Sequence, residues 1–113
     1  MKALDFNALA LPTWQITLKD DAHTVVNLAA PTVDLVERLI AAEPELSEAA
    51  KTKDGRTIRA VYTLTAEIMN CNDDGYTFTA EELRDKYRLT LLDVFRLHAG
   101  YMEFVQEIQN AKN

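Results

Sequence analysis

The residues of this chain whose types and spacing could do chemistry gather between Asn70 and Glu82. Asn70, Asn72, Asp74, Gly75 and Glu81 stand at positions one, three, five, six and twelve of a twelve-residue calcium loop, in which oxygen donors alternate around a glycine that allows a sharp turn. Two details weaken the pattern. The first ligand is Asn70, which supplies no charge, and Thr77 occupies the place of the aliphatic residue that pairs with a second hand, of which the chain has none. The alternative is a polar turn in which Gly75 takes a left-handed conformation while Glu81 and Glu82 serve the N-terminus of the next helix.

No other constellation offers catalysis a foothold. Cys71 would be a nucleophile only with a base beside it, and His23 and His98 are the sole histidines. His98 lies between the apolar flank and the polar stripe of the last helix, the place of a packed, hydrogen-bonded histidine rather than a ligand. His23 sits in a polar connection and reads as solvated. The glycines Gly55, Gly75 and Gly100 are too far apart to cradle a phosphate, and no paired-cysteine or His-Glu-x-x-His spacing marks a metal. The carboxylate pairs Asp20-Asp21, Asp73-Asp74 and Glu81-Glu82 fall in turns or at a helix start, with no apolar pocket to raise a pKa. The sequence therefore predicts no enzyme, no catalytic residue, no cofactor and no metal.

Composition narrows the classes further. The 113 residues make one domain, 1–113, with 18 acidic against 12 basic side chains and a net charge of −6. The basic residues are scattered, which argues against a nucleic-acid partner, since a phosphate backbone needs a positive surface. No apolar run approaches the roughly 20 residues that span a bilayer. Met1 to Leu11 lacks the long apolar core of a secretory signal, and a single cysteine suits a reducing, cytosolic compartment.

Taken in order, the chain predicts a mostly helical α+β fold: an N-terminal β-hairpin on a bundle of about four helices, the C-terminal one longest. The hairpin spans about residues 11–28, with Trp14, Ile16 and Leu18 alternating with Thr13, Gln15 and Thr17, and Lys19 to Ala22 breaking the run before a second strand from Thr24 to Leu28. Thr32 caps a helix over about 32–42, whose buried side is read as Val33, Leu35, Val36, Leu39 and Ile40. The polar run Glu43 to Gly55, which contains Pro44 and ends in Lys-Asp-Gly, reads as a loop with room for a short helical piece. A second helix spans about 56–70, with Ile58, Val61, Tyr62, Leu64, Thr65, Ile68 and Met69 at helical spacing. Capping boxes at Thr79-Ala-Glu-Glu82 and Thr90-Leu-Leu-Asp93 open helices over about 79–87 and 90–110.

The last of these helices organises the rest. Asp93, Arg96, Gly100, Glu103, Glu107 and Asn110 form one polar stripe, and almost everything else in it is apolar, wider than the roughly 100° needed to face one core. The excess fits either other helices wrapping it on two sides or contact with another chain.

The order of features resembles a known family. Leu4-Asp5-Phe6, the hairpin opening Leu11-Pro-Thr, Ala30-Pro-Thr32, a variable acidic loop, Ala66-Glu-Ile-Met-Asn-Cys-Asn72, Phe78-Thr-Ala-Glu-Glu-Leu83, Tyr101-Met-Glu-Phe104 and Ile108 to Asn113 together look like the tail assembly chaperones of long-tailed bacteriophages and their prophages. The resemblance covers nearly the whole chain and rests on helical pattern and order. It implies a non-catalytic protein of the bacterial host cytoplasm, absent from the mature virion, that binds the long, aggregation-prone tape measure protein and hands it over as the tail tube protein polymerises. It implies contacts with the tube protein and with a longer, frameshifted form of the chaperone itself, and it leaves room for a homo-oligomer. On this reading Leu97, Tyr101, Phe104 and Ile108 form the partner-binding flank, with Leu91, Phe95, Met102 and Val105 packed inward.

Ala111-Lys-Asn113 can be encoded by GCA AAA AAC, a run on which a ribosome can slip back one base, as in programmed frameshifting. Two other readings stay open: a single calcium-binding helix-loop-helix regulator, and a structural subunit of an oligomer.

Overall fold

The period-two alternation around Trp14 becomes a strand in the computed structural model, which describes residue 3 and residues 12–52 and 55–110. Strand β1 (Trp14–Thr17) pairs antiparallel with β2 (Val25–Leu28), Trp14 opposite Leu28 and Ile16 opposite Val26. The turn between them is closed by the Leu18 N–H on Thr24 O at 2.8 Å and the His23 N–H on Asp20 O at 2.9 Å. His23 adopts φ 50°, and the Asp20 carboxylate accepts from the Thr24 N–H and hydroxyl, which holds its pKa below the usual carboxylate value. Leu4-Asp5-Phe6, Leu11, Lys53, Asp54 and Ala111 to Asn113 lie outside the described residues.

Four helices follow: α1 (Val33–Thr52), α2 (Gly55–Met69), α3 (Glu82–Lys86) and α4 (Leu91–Asn110). The fold is thus the mostly helical α+β architecture expected, a hairpin followed by four helices, with α1 matching the final helix at 20 residues. The three helix starts at which a capping hydroxyl is expected use it. Thr32 Oγ1 accepts the Leu35 N–H at 3.2 Å. Thr79 and Glu82 exchange bonds of 3.1 and 3.0 Å, and Thr90 and Asp93 exchange bonds of 3.2 and 2.8 Å, satisfying donors that a helix leaves free. The Lys19 ammonium against Asp93 keeps that carboxyl below its usual pKa, with Thr90 adding to the effect.

α1 corrects the expected loop at 43–55. The helix runs on through Pro44 to Thr52, and the next one starts at Gly55. Proline costs one backbone hydrogen bond and crowds the carbonyl four residues earlier, but it acts at one position. The surrounding Ala, Glu and Leu residues favour helix at every other. Leu35, Leu39, Ala42 and Leu46, spaced four, three and four, run as one stripe of buried and half-buried side chains across the proline. Val33 and Ile40, read as part of the buried side, are instead 77% and 62% exposed.

α3 has π geometry, its closing Tyr87 N–H reaching back five residues to Glu82 O at 2.9 Å. Arg88 then takes φ 54° so that the Leu89 N–H can meet Leu83 O at 2.9 Å. α2 lies at the centre of the molecule, packed against both α1 and α4, with Val61, Leu64, Thr65, Ile68 and Met69 buried. Its Tyr62 hydroxyl donates to Leu89 O at 2.6 Å, tying the connection before α4 to the core. Arg38 of α1 bridges to Asp34 and to Glu67 of α2 on the surface, where such pairs add little. No helix among the described residues is long and apolar enough to cross a membrane.

Candidate partner-binding surface

The loop with calcium-like spacing is built from hydrogen bonds to the backbone. Asn70 Oδ1 accepts the Phe78 N–H at 2.6 Å while its amide donates to Phe78 O at 3.1 Å. Asn72 Oδ1 accepts from the N–H groups of Asp74 and Tyr76, at 3.0 and 3.1 Å, and its amide donates to Met69 O and Tyr76 O. The Asp74 carboxylate accepts the Asn27 N–H at 2.7 Å. Gly75 takes φ 79°, the left-handed conformation expected of it, and Glu81 is exposed at the start of α3. The three side chains from Asn70 to Asp74 therefore brace a turn and attach it to β2. Among the described residues, no three His, Cys, Asp or Glu side chains converge as metal ligands.

The histidines and the cysteine are held in structural roles. His98 is buried, and its Nε2 lies 2.8 Å from Thr65 Oγ1. The Thr65 hydroxyl hydrogen is directed to Val61 O at 2.7 Å, so His98 Nε2 is the protonated donor. Burial lowers its pKa to about 4, which leaves the ring neutral at physiological pH. Cys71 is half-buried, and burial raises its thiol pKa, the opposite of what an activated nucleophile needs. Its carbonyl accepts the Ala29 N–H at 2.7 Å, a link between β2 and the turn after α2.

The apolar excess of α4 is absorbed mainly within the chain. Leu97, Tyr101 and Phe104, assigned from spacing to the partner-binding flank, are buried, and Ile108 is half-buried. Of the residues assigned inward, Val105 is buried while Leu91, Phe95 and Met102 are only partly so. This burial follows from packing on two sides, which a helical wheel alone does not orient. The hairpin lies along one side, with the Trp14 ring so close to Gly100 that a Cβ there would stand 2.5 Å from it. On the same side the Tyr101 hydroxyl donates to Ala29 O at 2.8 Å. α2 closes the other side, through Thr65 and His98 among others.

Leu92 of α4 stands exposed on its own, and a further opening lies between α1 and α4. A cleft of about 370 Å³ is lined by Leu39, Ile40, Glu43 and Leu46 from α1 and by His98, Ala99, Met102 and Gln106 from α4. Glu43 is its only ionised lining residue, since His98 is neutral. Ile40 stands 62% exposed on one wall and Met102 is half-buried on the other. A groove with apolar walls on two helices is the shape that accepts the apolar face of a third helix. Sequence reading missed it because the α1 wall depends on the helix continuing past Pro44. The available signal was the Leu35, Leu39, Ala42, Leu46 spacing.

Comparison of the chain with protein-family models, with characterised proteins and with solved structures finds no match.

Proposed function

We propose that this chain is a non-catalytic tail assembly chaperone of the long-tailed phage type, which holds an amphipathic helix of a tape measure protein in the α1–α4 groove until the tail tube forms. The observation that carries this reading is the groove itself, an apolar trough with Ile40 and Met102 presented on opposite walls. Each large apolar side chain buried there contributes roughly 1.5–3 kcal/mol before ordering costs. Helical walls keep those costs low because the groove does not have to be assembled on binding. The net charge of −6 keeps a protein that carries an unassembled apolar partner dispersed in water, and Glu43 favours partner helices with basic flanks. The order of sequence features, from the hairpin to the acidic stretch and the final helix, supports the same assignment. On this reading the protein acts in the bacterial host cytoplasm and leaves before the virion is complete.

Co-expression with fragments of the very long helical protein that the proposal expects to be encoded downstream tests it. Wild type is expected to keep a fragment soluble and to be recovered with it. A variant carrying Ile40→Asp and Met102→Asp, at an exposed and a half-buried position of the groove walls, is expected to keep the circular dichroism of wild type and to lose the fragment. A wild type that binds no fragment, or a folded variant that binds as well as wild type, overturns the proposal.

A further inference from the structure

The two edges of the hairpin differ. The outer edge of β2 is covered: Asp73 N–H donates to Asn27 O at 3.2 Å, the Asn27 N–H donates to the Asp74 carboxylate at 2.7 Å, and Leu28 bridges to Asn72. The outer edge of β1 has no such cover among the described residues. The bond from Leu18 N–H to Thr24 O sets the phase of the antiparallel ladder, so Trp14 and Ile16 exchange bonds with β2. The N–H and C=O groups of Gln15 and Thr17 consequently point away from it. Asn27, opposite Gln15, shows the same phase from the other side, its backbone directed outward to Asp73 and Asp74.

We propose that this edge pairs with β1 of a second copy of the chain, antiparallel about a two-fold axis at Ile16, to make one continuous four-stranded sheet. The register is self-complementary. Gln15 and Thr17 are equidistant from Ile16, so each exchanges both backbone bonds with the other residue type of the second copy, and all outward groups of the strand are satisfied together. Trp14-Gln15-Ile16-Thr17 carries no charge, so the pairing opposes no like charges although the whole chain is acidic. Lys19, the residue type that blunts exposed edges, is drawn off to Asp93. The Ile16 side chains of the two copies meet on the face that already shields an apolar cleft against Leu89 and Leu97.

Sedimentation velocity of the full chain from micromolar to millimolar concentration tests this. Wild type is expected to move reversibly from monomer to dimer. Thr17→Pro and Gln15→Pro remove outward N–H groups and leave the ladder with β2 intact, and each is expected to weaken dimerisation by roughly tenfold or more, with unchanged circular dichroism and Trp14 emission. In a Cys71→Ser background, Gln15→Cys mixed with Thr17→Cys is expected to cross-link efficiently on oxidation, while either alone is not. A wild type that stays monomeric throughout, as it would if another part of its own chain covered the edge, overturns the proposal. So does a dimer indifferent to both prolines, or cross-linking that is equal in the single-cysteine proteins. Should the proline variants fail to fold, the cross-linking pattern decides by itself. None of these readouts involves the α1–α4 groove.

Discussion

Gly100 and His98 show what single positions control here. Gly100 falls on the polar stripe of α4, and its role was illegible in the sequence because the contact that needs it comes from Trp14, far away in the chain. Alanine at that position raises helix propensity by about 1 kcal/mol, yet its Cβ would stand 2.5 and 2.6 Å from two Trp14 ring atoms, and overpacking of this kind costs about 1–3 kcal/mol. Overpacking wins, so Gly100→Ala is expected to lower stability by about 1 kcal/mol and to shift Trp14 emission to the red, both read in one urea titration followed by fluorescence. His98 was placed correctly from its position between flank and stripe, and its burial sets a pH dependence. Its folded pKa of about 4 lies below the unfolded value of 6.5, so the unfolded chain takes up the proton first. Its contribution is therefore complete above pH 6.5 and is lost as pH falls toward 4, by about 3 kcal/mol at 1.36 kcal/mol per unit. The carboxylates held low by hydrogen bonds, Asp20 and Asp93, weaken the fold only below that window. Urea midpoints between pH 7 and 4.5 should fall for wild type and stay nearly level for His98→Gln.

Among the elements, those defined by local spacing were legible. The caps at Thr32, Thr79 and Thr90 need only a residue three positions on, and all three form as expected. The hairpin needs only alternation and a polar break. α1 was misread because one proline was taken to outweigh the helix formers on either side of it, whereas Leu39 and Leu46 hold the same stripe across the break. Pro44 is exposed and interior to the helix, so Pro44→Ala restores a backbone hydrogen bond without disturbing packing. It is expected to raise stability by about 1–3 kcal/mol, measured by chemical denaturation. An unchanged midpoint would mean that α1 is already broken at that point in solution.

At the scale of the whole molecule, the described residues form a slab of 55 × 34 × 18 Å with a radius of gyration of 15.4 Å. A compact chain of this length has about 13 Å. α2 packs against both α1 and α4, and a cleft stays open between those two helices. The fold class was readable from periodicity, but that open space was not. The over-wide apolar surface of α4 fitted either packing on two sides within the chain or contact with a partner, and wheel positions could not say which flank the hairpin would take. Leu97, Tyr101 and Phe104 went inside, and Met102 was left on the groove wall. Methionine methyls now separate the two surfaces: Met102 lines the groove, while Met69 is fully buried in the core.

The most direct measurement is a titration of methyl-13C-methionine-labelled protein with a fragment of the proposed tape measure partner, followed by NMR. If the groove takes the partner helix, the Met102 methyl resonance moves with fragment concentration while that of Met69 stays in place. A bound fragment that leaves Met102 unmoved contradicts the groove as the binding surface.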